Sequence, residues 1–305
     1  MTIPFATSDS WTILSSIEQS IKRKIEAVGT PLRDWDVKIN RGILTGCNEA
    51  FIITKQKREE ILKKCETAEE RERTVELIRP ILRGRDIKKY GYEFADKWII
   101  LAEYNSHEWL LKKYPVVFEY LSQFEKKLRD RGQCRYTASG KPNKNTGAHF
   151  PGQHHWLELD NNPRRTYLDD FSKQKIIWGE ISDKTKFAMD IEGKYCAEAT
   201  TFLMTGNNLA YLLGFLNSSL MEYFFSTLGT TTGVGTIRWK KYKIEQLPIP
   251  QPTSLFQTLL TETVLEIIEV PLDSKDRYIL EKKINSIVFQ IVGLSEQEIR
   301  FIESQ

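Results

Sequence analysis

Residues 197–250 read AEATTFLMTGNNLAYLLGFLNSSLMEYFFSTLGTTTGVGTIRWKKYKIEQLPIP, and this stretch decides the fold. Its beginning, Thr200 to Thr205, is a short run of β-branched and apolar residues that predicts a buried strand. A Gly-Asn-Asn turn follows, in which an asparagine can cap the next helix. From Leu209 to Phe224, leucines and aromatic residues recur at helical spacing on nearly every side. A helix of this kind is buried rather than laid on the surface.

The second half of this stretch returns the chain to the sheet. Asn217-Ser218-Ser219 interrupts the apolar pattern, which predicts a bend or two helices end to end, and Gly229 is placed to end the second one. A Gly- and Thr-rich loop, a basic strand over residues 237–241 and Leu247-Pro248-Ile249-Pro250 follow. Together with the other short apolar runs, this order predicts an α/β fold, in which a mixed, strongly twisted β-sheet carries packed helices.

The segments before and after this domain are predicted to be helical. Apolar residues at helical spacing predict a helix over residues 10–28, capped by Ser10. Two C-terminal helices are expected at about residues 255–270 and 276–293. Ser295 and Glu298 then form a capping box for a last short helix.

Three internal segments carry predictions of their own. Residues 55–79 are charged and helical, with Val75 among the residues expected to face inward. Residues 186–190 and 195–199 are predicted to form a hairpin around a Gly-containing turn. Residues 132–165 are rich in Gly, Asn, Pro, Lys and His, and a loop of this length is usually functional or disordered.

Charge is distributed unevenly along the chain. The net charge is +3, but residues from Pro252 onward contain nine acidic and five basic residues, so this tail is −4 and the remainder is +7. A basic body favours a polyanionic partner. The four cysteines lie far apart and form no CxxC pair, which is typical of a reducing cytoplasm. No apolar run reaches the ~18 residues of a membrane span, so no membrane partner is expected.

Six segments in a fixed order carry a family resemblance. Asn40 to Phe51, NRGILTGCNEAF, is similar to the pattern N-x-G-I-x-T-G-x-N-x-A-F. Ile81 to Ile87 contains L-R-G-R-D-I, and Lys175 to Ile181 is similar to K-I-[IV]-x-x-E-I. The remaining three are Leu213–Leu220, Arg238-Trp239-Lys240 and Leu247-Pro248-Ile249-Pro250. The chain thus resembles the C-terminal specificity domain of TaqI-like DNA methyltransferases and of type IIG restriction–modification enzymes.

The resemblance implies a function in DNA recognition. Such target-recognition domains hold duplex DNA opposite a methyltransferase domain, which flips out the target adenine. It implies that the partners are double-stranded DNA and the methyltransferase domain of the parent chain. The expected division is an entry helix at the joint to that domain (1–30), a target-recognition domain (31–252) and a helical C-terminal extension (253–305). S-adenosylmethionine and Mg²⁺ are expected in the parent's other domains, and no cofactor is expected here.

Catalytic motifs of an adenine methyltransferase are missing from the sequence. Asn162-Pro163-Arg164 lacks the second proline and the aromatic residue of Asn-Pro-Pro-aromatic. Gly233-Val234-Gly235 follows a predicted helix rather than a strand, so it does not fit a cofactor-binding loop. We therefore expect a binding module without catalysis of its own.

Candidate DNA contacts come from four segments, because phosphates attract Arg and Lys, while planar donors and acceptors read bases. They are Asn40, Arg41, Thr45, Asn48, Arg83, Arg85, Lys88, Lys144, His149, Gln153, His154, His155, Arg238, Trp239, Lys240 and Lys241. Arg83 and Arg85 could equally be structural, and Arg85-Asp86 could be an internal ion pair. The segment Lys141 to Trp156 is the better candidate for base reading, because members of such a family with different target sequences would differ from one another there.

Three alternatives stay open from sequence. Glu192-Gly193-Lys194 with Asp183 or Asp170 has the residue types of a Mg²⁺-dependent endonuclease. A zinc site could use Cys134, His149, His154 and His155. The terminal helices could also pair in a dimer, as in a protein–protein scaffold.

Overall fold

Helices and short strands alternate along the chain in the computed structural model, which describes residues 14–136, 139, 141, 154–161, 163–228 and 237–305. The helices are α1 (Ser16–Val28), α2 (Asn48–Phe51), α3 (Lys55–Lys64), α4 (Ala68–Leu77), α5 (Leu110–Lys113), α6 (Pro115–Ser122), α7 (Glu125–Arg129), α8 (Arg165–Leu168), α9 (Leu209–Leu216), α10 (Ser219–Leu228), α11 (Lys241–Ile244), α12 (Ser254–Glu269), α13 (Asp276–Val292) and α14 (Glu296–Glu303). The strands are β1 (Gly29–Pro31), β2 (Val37–Arg41), β3 (Ile52–Thr54), β4 (Ile78–Leu82), β5 (Ile87–Lys88), β6 (Gly91–Tyr92), β7 (Lys97–Ile100), β8 (Lys175–Gly179), β9 (Ile181–Ser182), β10 (Phe187–Asp190), β11 (Cys196–Ala197), β12 (Thr201–Gly206), β13 (Ile237–Arg238) and β14 (Pro248–Pro250).

Two four-stranded sheets organise the chain. The central sheet has the order β10-β8-β12-β2, with every neighbouring pair antiparallel. The second sheet has the order β11-β4-β7-β3, in which β11 runs parallel to β4 and the other pairs are antiparallel. Helices pack around both sheets, so the predicted α/β class with a mixed sheet is confirmed.

The central sheet separates two hydrophobic cores, because successive side chains of a strand point to opposite faces. Ile176, Trp178 and Met204 face the core that α9, α10, α12 and α13 complete, which we call core one. Ile177 and Leu203 face the core around β3, β4, β7 and α6, which we call core two. Strands β8, β10 and β12 are therefore buried on both sides, whereas β2 at the edge of the sheet keeps Lys38 and Arg41 exposed.

The predicted strand and buried helices over residues 200–228 are confirmed. β12 lies at the centre of the sheet, and every residue of α9 is buried. The interruption between α9 and α10 has a specific partner, because the Asn217 side chain accepts a hydrogen bond from the Phe187 N–H (3.0 Å) and donates one to the Phe187 carbonyl (2.8 Å). Gly229 and the Gly- and Thr-rich loop lie outside the described residues.

Caps differ in detail from those predicted. Asn208 precedes α9 in a left-handed conformation (φ 56°), but its side-chain oxygen accepts a hydrogen bond from Gln257 rather than from the helix. The first helix begins at Ser16 and is capped by Ser15, which forms a capping box with Glu18, whereas Ser10 lies outside the described residues. The predicted capping box at the start of α14 is confirmed.

The predicted hairpin over residues 186–199 is wrong. β10 joins the central sheet beside β8, whereas β11 pairs with β4 in the second sheet. The turn between them has Gly193 in the left-handed region (φ 65°), and a Cβ there would lie 2.3 Å from the Ser172 carbonyl oxygen. The sequence identified both strands, but the local pattern carries no information on the partner of each strand.

Two further predictions need correction. Residues 55–79 form two helices and the start of β4, and Val75 on the second helix is exposed. The basic strand over 237–241 is only the two-residue β13, since α11 begins at Lys241. Pairing of β13 with β9 ends at Arg238, and the chain then turns inward.

Candidate nucleic-acid interface

Several of the predicted DNA contacts lie at one edge of the central sheet, where β2 and β8 both end. Phe202 on β12 is opposite both Arg41 on β2 and Trp178 on β8, so Arg41 and the Gly179 end of β8 lie at the same edge. Arg41 is exposed, and its Nε donates to the Ala199 carbonyl at 2.8 Å. Sheet register therefore holds this arginine beside the segment that follows β8.

Arg238 reaches the same place from a different segment. β13 pairs with β9 so that Arg238 is opposite Ile181, and the Trp239 N–H donates to the Glu180 carbonyl at 2.8 Å. The guanidinium groups of Arg41 and Arg238 consequently flank the Glu180 carboxylate, at 3.6 and 3.9 Å. Two arginines separated by almost 200 residues meet at one carboxylate.

The Arg83-Gly84-Arg85 turn contributes one of its two arginines. Arg83 forms a two-point ion pair with Asp86 (3.0 and 2.8 Å), and this hydrogen bonding raises the pKa of Arg83. Arg85 is exposed and lines a cleft of about 680 Å³ together with Lys88, Glu180 and Lys186. The internal ion pair suspected at Arg85-Asp86 is thus made by Arg83 instead.

The Asn40 to Asn48 segment is held closely against β11. A Cβ on Gly42 would lie 2.0 Å from the Glu198 carbonyl oxygen, and Gly46 has a φ of 66°, so the local backbone requires glycine at both positions. Asn48 is exposed and donates to the Glu198 carboxylate at 3.0 Å, placing it near the same edge.

Two other polar residues of that segment act inside the protein. Thr45 is buried, and its hydroxyl donates to the Asn48 side-chain oxygen at 2.6 Å. Asn40 donates to Asp170 at 2.8 Å. Both side chains hold their neighbours in place rather than presenting a free group at the surface.

The segment that follows β13 divides between surface and core. Trp239 is 2% exposed, stacks on Phe225 with ring centroids 3.9 Å apart, and belongs to core one. Lys240 is half-buried. Lys241 is exposed, donates to the Ile39 carbonyl at 2.9 Å, and so lies next to β2. The aromatic ring that the sequence suggested as a DNA contact is therefore enclosed.

Histidines at the end of the long loop are also packed inside. His154 is fully buried, with its Nε2 2.9 Å from an Asp160 carboxylate oxygen. His155 stacks on His107 with centroids 4.4 Å apart, and burial lowers its pKa to about 4, so the ring is neutral at neutral pH. Lys144, His149 and Gln153 lie outside the described residues.

A buried arginine ties the ends of this loop to the Asn40 to Asn48 segment. Arg131 donates to the Thr45 carbonyl at 2.7 Å and to the Trp156 carbonyl at 2.8 Å. It also lies 3.5 Å from the His154 ring nitrogen. Arg131 was not among the predicted site residues, because its role depends on contacts with residues that are 23 or more positions away.

The cations at this edge form one surface, which we call the basic edge and define as Arg41, Arg85, Lys88, Arg238 and Lys241. Lys88 is half-buried and paired with Glu93 at 3.1 Å, and the other four are exposed. Glu180 lies in its middle and was not predicted as a site residue. The residues around Glu180 predicted a strand. Glu180 meets the two arginines only because β2 and β8 both pair with β12, and β13 pairs with β9.

The carboxylates suggested for a nuclease site do not converge. Asp170 is hydrogen-bonded by Lys38 and Lys173, and Asp183 by Lys186. Glu192 and Lys194 are exposed. Within the part of the chain that the structure describes, no three His, Cys, Asp or Glu side chains are grouped as metal ligands.

Among the described residues, none of the helices combines the length and the apolar character needed to cross a bilayer.

Comparison with known proteins relates the chain to restriction–modification systems. It is 23% identical over 309 aligned positions to the type II methyltransferase M.BstVI of Geobacillus stearothermophilus, a match that covers 98% of this chain and 47% of that protein. The chain therefore spans less than half the length of this relative.

Two solved structures share the fold. The type IIL restriction–modification enzyme MmeI, solved in complex with DNA, superposes with a TM-score of 0.60 at 12% identity, covering 90% of this chain and 36% of that one. The type IIG restriction endonuclease BpuSI gives 0.52 at 11% identity, covering 91% and 33%. Residues 79–249, more than half of the chain, match the family described as the TaqI-like C-terminal specificity domain. The protein belongs to this family of specificity domains.

Proposed function

We propose that this chain is a sequence-specific duplex DNA recognition module of a type IIG restriction–modification enzyme or an N6-adenine DNA methyltransferase, without catalysis of its own. In the parent enzyme it would work opposite a methyltransferase domain, and other domains would hold S-adenosylmethionine and Mg²⁺. The proposal places the protein in the cytoplasm with the DNA that it binds.

The observation that carries the proposal is the convergence of Arg41 and Arg238 at an exposed edge. Their side chains are 51% and 46% exposed, and Arg85, Lys88 and Lys241 extend the same surface. Arginines and lysines that share one surface supply the contacts that release counterions and dominate binding to a phosphate backbone. The basic edge is thus the proposed phosphate-contacting surface.

Base reading is proposed for the segment Lys141 to Trp156, which includes Lys144, His149 and Gln153. The end of this segment is buried, with Trp156 in core two and the His154 ring 2.9 Å from the Asp160 carboxylate. Arg131 joins this anchor to the Asn40 to Asn48 segment at the edge. A variable loop on a rigid base is a usual way for a scaffold to present specificity residues.

Duplex binding at two salt concentrations tests the proposal. At about 50 mM salt the wild-type chain should bind duplex DNA, and binding should weaken strongly at about 200 mM. Changing Arg41 and Arg238 together to alanine should weaken binding and reduce the slope of log affinity against log salt by roughly two.

A matched control removes two exposed arginines elsewhere, Arg23 on α1 and Arg300 on α14. This Arg23→Ala, Arg300→Ala variant has the same net charge as the test variant and should bind as wild type does. Equal losses in both variants would contradict a localised interface. A plasmid incubated with Mg²⁺ and the chain should stay intact, and cleavage would contradict the proposed lack of catalysis.

A further inference from the structure

The acidic side chain of Glu180 lies between the two arginines of the basic edge, whereas Lys88 and Lys241 pair with Glu93 and Glu245 at 3.1 and 3.6 Å. The Glu180 carboxylate is 3.6 Å from an Arg41 nitrogen and 3.9 Å from an Arg238 nitrogen, and its side chain is 19% exposed. One negative charge is therefore shared by the two guanidinium groups that the proposed function assigns to phosphate. The three side chains together present one net positive charge instead of two.

The position of Glu180 is fixed by its backbone. Its N–H donates to the Thr200 carbonyl at 2.9 Å, and its carbonyl accepts from the Trp239 N–H at 2.8 Å. These bonds fix the Glu180 backbone between the two neighbouring segments and keep the carboxylate within reach of both arginines. A phosphate that contacts Arg41 and Arg238 together therefore lies close to this carboxylate.

The two ion pairs are loose. Charge-assisted hydrogen bonds between arginine and carboxylate are usually 2.7–2.9 Å long, and both distances here exceed that range. Arg41 is instead held by its hydrogen bond to the Ala199 carbonyl, which does not involve Glu180. Glu180 thus reduces the charge of the arginines while contributing little to their placement.

We infer that Glu180 acts as an electrostatic brake that keeps the affinity of this surface for duplex DNA of arbitrary sequence low. This inference rests on the proposed function, because it assigns the partner of Arg41 and Arg238 to a polyanion. Repulsion between the carboxylate and a phosphate does not depend on base sequence. Its effect therefore falls on the non-specific, salt-dependent part of binding.

The Glu180→Gln variant tests the brake, since it removes the charge and preserves the shape of the side chain. It should elute from heparin, a sulfated polyanion, at higher salt than wild type does. It should also bind a random-sequence duplex about fivefold more tightly at low salt, with a salt slope steeper by about one. Its thermal unfolding should match that of wild type.

Glu296→Gln is the matched control, because Glu296 also pairs with an arginine, Arg300 at 2.8 Å, but lies on α14. This variant changes the net charge equally and should elute with wild type. Equal elution of both variants, or earlier elution of Glu180→Gln, would overturn the brake. If wild type binds heparin but no duplex at low salt, the proposed function fails while the heparin comparison still decides the role of Glu180.

Discussion

At the scale of single residues, the buried ion pair between Lys175 and Asp190 is the strongest candidate for a large effect on stability. Lys175 is fully buried, and its ammonium lies 2.6 Å from Asp190 and 2.8 Å from the Phe171 carbonyl. Burial lowers the pKa of Lys175, and the Asp190 carboxylate opposes that shift. Removing one partner of such a pair leaves a buried charge without compensation.

We expect Lys175→Met to lower the free energy of unfolding by about 3–5 kcal/mol, the usual cost of breaking a buried pair. Chemical denaturation would measure it. The control is Lys186→Met, which removes a lysine from the exposed pair with Asp183 and should cost less than about 1 kcal/mol. Similar losses in the two variants would show that burial of Lys175 does not determine the cost.

Single residues also show where sequence reasoning about the site reached its limit. Arg41, Arg85 and Arg238 were chosen from residue type and motif, and the structure places all three at one exposed edge. Trp239 was chosen by the same reasoning and is enclosed in core one. Residue type predicts what a side chain can bind, but burial depends on partners such as Phe225, which the local pattern does not identify.

At the scale of elements, α14 is fastened to α1 through one carboxylate. Glu298 accepts hydrogen bonds from Lys24 (2.6 Å) and Ser20 (2.8 Å), and from the Ser295 N–H (2.6 Å) at its own capping box. Burial alone would raise the pKa of Glu298, but these hydrogen bonds outweigh it and lower the pKa to about 2. The ionised form is therefore the one that the fold stabilises.

The direction of the shift sets a pH dependence. A carboxyl whose pKa falls from 4.5 to about 2 on folding stabilises the protein fully above pH 4.5, and this contribution is lost as the pH falls toward 2. Glu298→Gln should lower the free energy of unfolding by about 2–3 kcal/mol at neutral pH. The difference from wild type should shrink steadily below pH 4.5, as measured by denaturant titration. A difference that stays constant with pH would contradict this role, and the exposed Glu296→Gln should show little effect at any pH.

Elements differ in how well the sequence predicted them, for a physical reason. Strand β12, helices α9 and α10 and the C-terminal helices follow directly from hydrophobic periodicity, since each presents a regular pattern over several residues. The hairpin over 186–199 failed because pairing of β10 with β8 and of β11 with β4 is decided by contacts distant in sequence. Periodicity identifies an element, while the choice of its partner belongs to the whole fold.

At the scale of the whole molecule, the central sheet couples the two cores. Leu203 and Met204 are adjacent on β12, both are fully buried, and they face core two and core one respectively. A strand shared in this way cannot leave one core without leaving the other. The basic edge depends on the same sheet, because β2 and β8 place Arg41 and Glu180 at one end of it.

We therefore expect the described parts of the chain to unfold in one transition. Leu203→Ala and Met204→Ala should each cost about 2–5 kcal/mol, the range for removing a large buried side chain. In both variants, amides of α9 in core one and of β7 in core two should lose protection at the same urea concentration. Hydrogen exchange measured by mass spectrometry would follow both groups at once. If Leu203→Ala released the amides of β7 while those of α9 stayed protected, the two cores would be separate folding units, and the sheet would not couple them.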